Sequence, residues 1–547
     1  VERGVTNEDG DEVLPHPGLA AVLRGDSDNS FGNMAFAGAF DVISEQGNSE
    51  AVIATVFTTE DPSSYASNLL DAMDSYELKP IDKRIRWDSA LDAFVDGQII
   101  EGENLEAYFG VPVPPFEYAP GAWTSGNRAA AALLPGVDAP YTGGTLSKGI
   151  AKVIHASFIA PAPNFSIEND IALNHEFKFD STGLTWTTEQ LIPFTLVLCD
   201  GHADEPSNLP VAIVSTGGTR NRGDFISYAT VNCLSSVATF SFDHPFQAGR
   251  AFPVAKSDLA LVVPGGTDTE NALTGKRVGD AGYAPDHVSD GASVVESVGN
   301  LLALGYTLDP AIAEANTMGY TLDTYLAVRH LTENDWSDFV PGLSFDSANV
   351  FQQGESYGAS FGMVISALRD TFKSIILTAA AVGIMVPASL SAPDYGPLAA
   401  TFIQPVFGLA SSLDEITTHP ERDPMLSIWQ WLVQRTDAGV WAPKILRHRE
   451  APGTVAVLYG TASWDSTLSS PGQFMLTNAL GAPSYRTAEW TLDPSMKDVP
   501  NDWGTAFDGD PIKNNVTVRG TQTTAAAFHW RESAHVFANR PASYLDF

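Results

Sequence analysis

The sequence predicts an α/β fold: a mostly parallel central sheet with helices on both faces, a helical cap insert and an additional N-terminal region. Three observations predict it. Apolar, β-branched runs suited to buried parallel strands recur along the second half and alternate with helical patterns. The pentapeptide Gly354-Glu355-Ser356-Tyr357-Gly358 stands between the apolar pair Val350-Phe351 and a helix-compatible run over 359–368. Finally, 547 residues with 44% hydrophobic and 18% charged side chains describe a globular chain that buries a large core and exceeds the size of one simple domain.

Residues 1–145 read as an N-terminal accessory region, rich in Gly, Pro and Asp, with a strand-like stretch at 51–58 and a helix-like one at 63–76. Glu8, Asp9, Asp11 and Glu12 around Gly10 read as a solvated turn, because the spacing needed to ligate calcium is incomplete. From 146 to 547 the pattern is that of one catalytic domain. Short β-rich runs occur at 152–159, 194–199, 210–215 and 237–242. An insert at about 251–345 follows, in which GYTLDP at Gly305 is echoed by GYTLDT at Gly319; its length makes it a cap over the strand ends. Beyond the pentapeptide, 374–380 and 454–459 suit buried strands. Asp423-Pro424 opens a helix that carries Leu426, Ile428, Trp429, Leu432 and Val433 for burial.

The formal charge of −36, from 66 acidic against 30 basic residues, opposes nucleic-acid or anionic-membrane partners, which demand a basic footprint. Such an acidic, solvated surface suits a secreted or cell-surface protein, with a salt-adapted cytosolic protein as the alternative. The chain opens at Val1 with neither an initiator Met nor a signal-like segment, which reads as a trimmed or processed product. No membrane span is expected: the nearest candidate, 375–390, is interrupted by Pro387 and reads as strand plus loop. Cys199 and Cys233 are the only cysteines, too few for a structural zinc site, and either a disulfide or two buried thiols fits them.

The pentapeptide is where chemistry is expected. In a strand–turn–helix context, Gly-x-Ser-x-Gly forms a strained turn that lifts the serine hydroxyl clear of the sheet, at the N-terminus of a helix. Ser356 is the expected nucleophile, and the amide of Tyr357 an oxyanion donor. A serine is a poor nucleophile unless a histidine takes its proton and an acid orients that histidine. In this context the chain order is serine, acid, histidine. Asp465, on the loop after TVAVLYG, is the expected acid, with Asp502 and Asp508 in reserve. His535, after the strand-like stretch 523–530, is the expected base; His529 falls inside that stretch, and His448 lies in a charged, solvated segment. The second oxyanion donor is expected from Gly217 or Gly218, after PVAIVS.

Together these elements resemble an α/β-hydrolase, and more narrowly the bacterial extracellular lipases and esterases that include the virulence-factor lipases. The resemblance rests on VFTTEDP at Val56, AIVSTGGTRNRGD from Ala212, FDHPFQAGR from Phe242, the Ser356 pentapeptide, DPMLSIWQWL from Asp423, GTASWD and the C-terminal SAHVF, in matching order over about 50–547. Two departures stand out: Thr216-Gly217 where the group commonly has His-Gly, and Gln247 where it often has His. The resemblance implies a serine esterase or lipase that forms an acyl-enzyme on small-molecule or lipid esters and requires neither a metal nor an organic cofactor. Phe351, Trp464 and the aromatics of the insert read first as core packing and second as the lining of an acyl site. The rival readings are a serine peptidase or polyester depolymerase on the same scaffold, and a non-catalytic surface-binding protein. Oligomeric state is left open.

Overall fold

The computed structural model describes residues within 62–105, 149–163, 176–245, 310–486 and 506–530, apart from short gaps in those spans. The chain divides into units 1–64 and 65–547, and nearly all described residues belong to the second. The strand-like stretch 51–58 lies outside the described residues, as does 106–148, where the expected boundary near 145 falls.

Among the described residues, eleven strands form one sheet. They are β1 (Ile99–Glu101), β2 (Ile150–Pro161), β3 (Glu189–Cys199), β4 (Leu209–Ser215), β5 (Ala238–Phe242), β6 (Phe345–Glu355), β7 (Ser374–Thr378), β8 (Ala456–Ala462), β9 (Ser484–Arg486), β10 (Ala506–Asp508) and β11 (Ala525–Trp530). Their order across the sheet is β10-β9-β11-β8-β7-β6-β4-β5-β3-β2-β1. Every pairing from β10 to β5 is parallel; β3 runs antiparallel to both β2 and β5, and β1 antiparallel to β2. The flanking helices named below are α1 (Pro62–Asp74), α2 (Phe225–Leu234), α3 (Pro310–Glu333), α4 (Tyr357–Leu368), α5 (Pro424–Leu432) and α6 (Ser470–Leu480). A parallel sheet covered by helices, with a strand–serine–helix turn at its centre, is the α/β-hydrolase fold.

Alternation along the strands decides what each face buries. Phe158 of β2, Phe194 of β3, and Phe240 and Phe242 of β5 pack with Trp336 in the main core, which also takes Leu69, Leu70 and Met73 of α1. The α1 residues therefore share the core of the large sheet and β1 pairs at its edge, although both precede residue 145. The alternate positions of β2, β3 and β5 are His155, Ser157, Thr195, Thr239 and Ser241, all buried. Three of these groups have side-chain partners: Thr195 Oγ1 lies 3.0 Å from His155 Nδ1, and Asn232 of α2 bonds both Thr239 and Gln353.

The span expected to form a cap divides in two. Residues 251–309, including the Gly305 motif, lie outside the described residues, whereas α3 is a helix of the core. It is buried on nearly every side, polar residues such as Asn316, Asp323 and His330 included, and the Gly319 motif is part of it. The Asp423-Pro424 helix forms where expected, and Asp423 accepts from the amides of Met425 and Leu426 at the head of α5. Of the five apolar residues expected to be buried, Leu426, Trp429 and Val433 are, whereas Ile428 and Leu432 are exposed because they fall on the outward face of the helix. Pro387 opens a short helix, Pro387–Leu390, where a loop was expected.

His330 of α3 is fully buried and matched as the neutral ring. Nδ1 accepts from Asn334 at 2.7 Å, and Nε2 donates to the carbonyl of Ile159 at 2.9 Å. Burial holds its pKa down at about 4, and burial also lowers those of His155 and His202. A histidine whose folded pKa is depressed stabilises fully above its unfolded value of about 6.5 and loses that contribution as pH falls toward 4. The unfolding free energy is expected to drop by about 3 kcal/mol over that window from His330 alone. Urea unfolding from pH 7.5 to 4.5 checks this, and His330→Gln should show a shallower decline.

Cys199, at the end of β3, is disulfide-bonded to Cys233 of α2, 34 residues away. Closing a loop of that length stabilises by about 3–4 kcal/mol. Reduction, or paired Cys→Ser substitution, is expected to lower stability by that amount in guanidinium titrations.

Candidate active site

Ser356 follows the last residue of β6 and precedes the first of α4. Its φ of 55° and ψ of −119° lie where side-chain-bearing residues rarely go. Its backbone is held on both sides: the amide donates to Thr378 O at 2.8 Å, and the carbonyl accepts from Ser360 N at 3.2 Å. A serine before a helix ordinarily caps it with its own oxygen. Here the Ser356 side chain makes no capping bond, so its hydroxyl is not spent on the helix.

Two glycines permit this turn. A Cβ on Gly354 would sit 2.7 Å from Ala359 Cα and 2.8 Å from its amide nitrogen, both backbone atoms that cannot swing aside. Gly354→Ala is therefore expected to cost about 2–3 kcal/mol and to displace Ser356, a change that melting temperature and activity measured together will register. Gly217 is buried against the serine: its Cβ position lies 3.2 Å from Ser356 Cβ and 3.7 Å from Ser356 Oγ. The parallel register explains that proximity. Ser215, two residues before Gly217, is paired with Gly354, two residues before Ser356.

The same register brings the ends of the neighbouring strands level with that of β6. Glu355, Thr378, Gly460 and Phe528 form a row across β6, β7, β8 and β11. Ser356 is one residue beyond that row, Asp465 five residues beyond it on the loop after β8, and His535 seven residues beyond it after β11. Strands two positions apart are separated by about 10 Å, so the loop after β8 must lean back toward β6 to serve the serine. His535, Gly218, Trp464 and Asp502 lie outside the described residues. Asp508 belongs to β10, five strand spacings from β6, or roughly 24 Å, which removes it as a reserve acid. His529 is a β11 residue paired with Thr461, and His448 is exposed in the segment leading into β8, on the side opposite the row. Phe351 is half-buried within β6.

Asp465 is 3% exposed. Its Oδ1 accepts from Leu468 N at 2.8 Å and its Oδ2 from Gln473 Nε2 at 2.6 Å. The carboxylate thus shapes its own loop through an i+3 bond while being held by a side chain from the first turns of α6. Tyr459 of β8 supports that helix: its hydroxyl donates to Ala380 O at 2.6 Å and Gln473 O at 3.2 Å. Burial, and secondarily the charge of Asp465, push the Tyr459 phenol well above its usual pKa, which keeps it a neutral donor. Sequence reasoning missed Gln473 and Thr378, since no local pattern marks a residue whose partner is brought to it by a turn or a neighbouring strand.

A groove of about 680 Å³ flanks this loop, with Val382, Trp431, Val440, Pro471, Gly472 and Met475 in its walls. Ser356 and Gly217 are not among its lining residues. Trp431 of α5 lines it and is exposed, as are Met425, Ile428 and Leu432 elsewhere on that helix. No helix among the described residues is long and apolar enough to cross a membrane.

No protein-family model matches the chain, and no curated protein matches it in sequence. Solved structures that it resembles include the acetyl xylan esterase from Paenibacillus sp. R4, 12% identical with a TM-score of 0.36, over 88% of this chain and 91% of that one. Acetyl xylan esterase 1 from Thermoanaerobacterium sp. JW/SL YS485 is 11% identical with a TM-score of 0.38, over 89% and 92%. Pyrococcus horikoshii acylaminoacyl peptidase is 10% identical with a TM-score of 0.31, over 67% of this chain and 37% of that one. Scores this low leave the strand order and the serine turn to identify the fold.

Proposed function

We propose that the chain is a serine hydrolase of carboxylic esters that works through a Ser356–His535–Asp465 triad and an acyl-enzyme. The observation that carries this reading is the Ser356 turn: a buried serine in strained backbone, its hydroxyl not spent on capping, with Gly217 packed against it. Strain of this kind persists only where the surroundings impose it, and it presents the hydroxyl at the strand edge. Ser356 Oγ attacks the ester carbonyl as His535 takes its proton. The amides of Tyr357 and of Gly217 or Gly218 receive the oxyanion. Collapse of the tetrahedral intermediate expels the alcohol, which takes the proton from His535, and water activated by the same imidazole releases the acid. Asp465 holds the imidazole in the tautomer that accepts from serine. None of these steps draws on a metal or an organic cofactor. The acidic surface and the Cys199–Cys233 disulfide support action in an oxidising, extracellular setting.

The test is intact-mass analysis after fluorophosphonate treatment, run beside a panel of p-nitrophenyl esters and peptide p-nitroanilides. A single adduct on Ser356 with ester turnover is the expected result. An unlabelled chain would sink the reading, and faster turnover of the anilides would make the enzyme a peptidase.

A further inference from the structure

We propose that Gln473 is a positioning residue that fixes the carboxylate of Asp465 for its partnership with the catalytic base; this rests on the hydrolase reading above. Gln473 is fully buried, and its Nε2 donates to Asp465 Oδ2 at 2.6 Å and to the Leu468 carbonyl at 3.3 Å. With Leu468 N on Oδ1, both carboxylate oxygens have a fixed donor, so the carboxylate plane is set by two independent bonds. Gln473 is itself anchored to the sheet. Its carbonyl accepts from the Tyr459 hydroxyl of β8, and its amide bonds Ser469 O at 3.3 Å, while Ser469 N bonds Ala388 O at 2.8 Å. Core strand, phenol, helix turn, carboxamide and carboxylate therefore form one continuous hydrogen-bonded chain. The chemical type of the donor matters as well. Bonds to a carboxylate are charge-assisted and directional, but a lysine or arginine here would pair with the negative charge that an imidazolium must see. A carboxamide orients the carboxylate without adding a positive charge beside it.

Two variants test this, each measured for kcat and KM across pH on a p-nitrophenyl ester, with fluorophosphonate titration counting competent sites and thermal melting reporting the fold. Gln473→Met keeps the volume and removes both donors; kcat is expected to fall on the order of 10- to 100-fold with KM unchanged. Gln473→Glu sets two carboxylates at hydrogen-bond distance, a pair that shares one proton at low pH and loses it as pH rises. Its kcat is therefore expected to acquire an alkaline decline that the native enzyme lacks. Native kcat in Gln473→Met, or a Gln473→Glu pH profile parallel to the native one, overturns the proposal while leaving the hydrolase reading intact. Should Gln473→Met melt below the assay temperature, the Gln473→Glu profile decides alone. A native chain that neither labels nor turns over esters overturns the hydrolase reading, and this proposal with it.

Discussion

Ser356→Ala is expected to lower kcat by at least about 10⁴-fold and to abolish the fluorophosphonate adduct, without lowering the melting temperature. The substitution removes one oxygen and nothing else that holds the fold. Ser356 makes no capping bond through its side chain, and the amide and carbonyl that anchor the turn belong to the backbone. The residual rate reports what the oxyanion donors achieve with water as the nucleophile. A companion variant separates chemistry from strain. Alanine has the same difficulty with a φ of 55° that serine has, whereas Ser356→Gly removes it and is expected to raise stability by about 1 kcal/mol while being equally inactive. If Ser356→Ala retained native turnover, the nucleophile would lie elsewhere and the triad assignment would fall.

Asp465→Asn carries the second-largest expected effect, a loss of about 10⁴-fold in kcat with little change in KM. Asparagine can still accept from Leu468 N, so the i+3 bond that shapes the loop survives. Gln473 can rotate its amide to offer oxygen in place of nitrogen, which spares the donor–donor clash. What asparagine lacks is the charge and the second acceptor, so it steers the imidazole to the wrong tautomer. If Asp465 merely shapes its loop, Asp465→Asn keeps near-native kcat. The loss and the retention of kcat differ by orders of magnitude, and a single rate measurement against a melting control separates them.

The Ser356 turn was legible before any coordinates. Two glycines flanking a serine, with an apolar run before them and a helical run after, favour a strand–turn–helix, because the glycines admit the close backbone approach at Gly354 and the helix starts at once. TVAVLYG ends in a loop that carries Asp465 for the same local reason, and the β8 strand forms where its β-branched run lies. Other features were not readable. Residues 310–333 looked like part of a cap and form a core helix, because a segment that mixes apolar residues with Glu314, Asn316, Asp323 and His330 does not announce that all of them will be buried. Pro387 looked like a loop and opens a helix turn. Whether Cys199 and Cys233 would pair depended on β3 and α2 being brought side by side.

Local sequence determined the elements, the residue types able to do the chemistry, and their order along the chain, because turn strain, strand propensity and helix starts act over a few residues. Tertiary structure alone decided that Gly217 rests against Ser356, that Asp508 is stranded at the far edge of the sheet, and that Asp465 is gripped by Gln473. The first two follow from the order and register of strands distant along the chain, to which no single stretch of sequence has access. The third depends on how the loop after β8 turns into α6 and brings together residues eight apart.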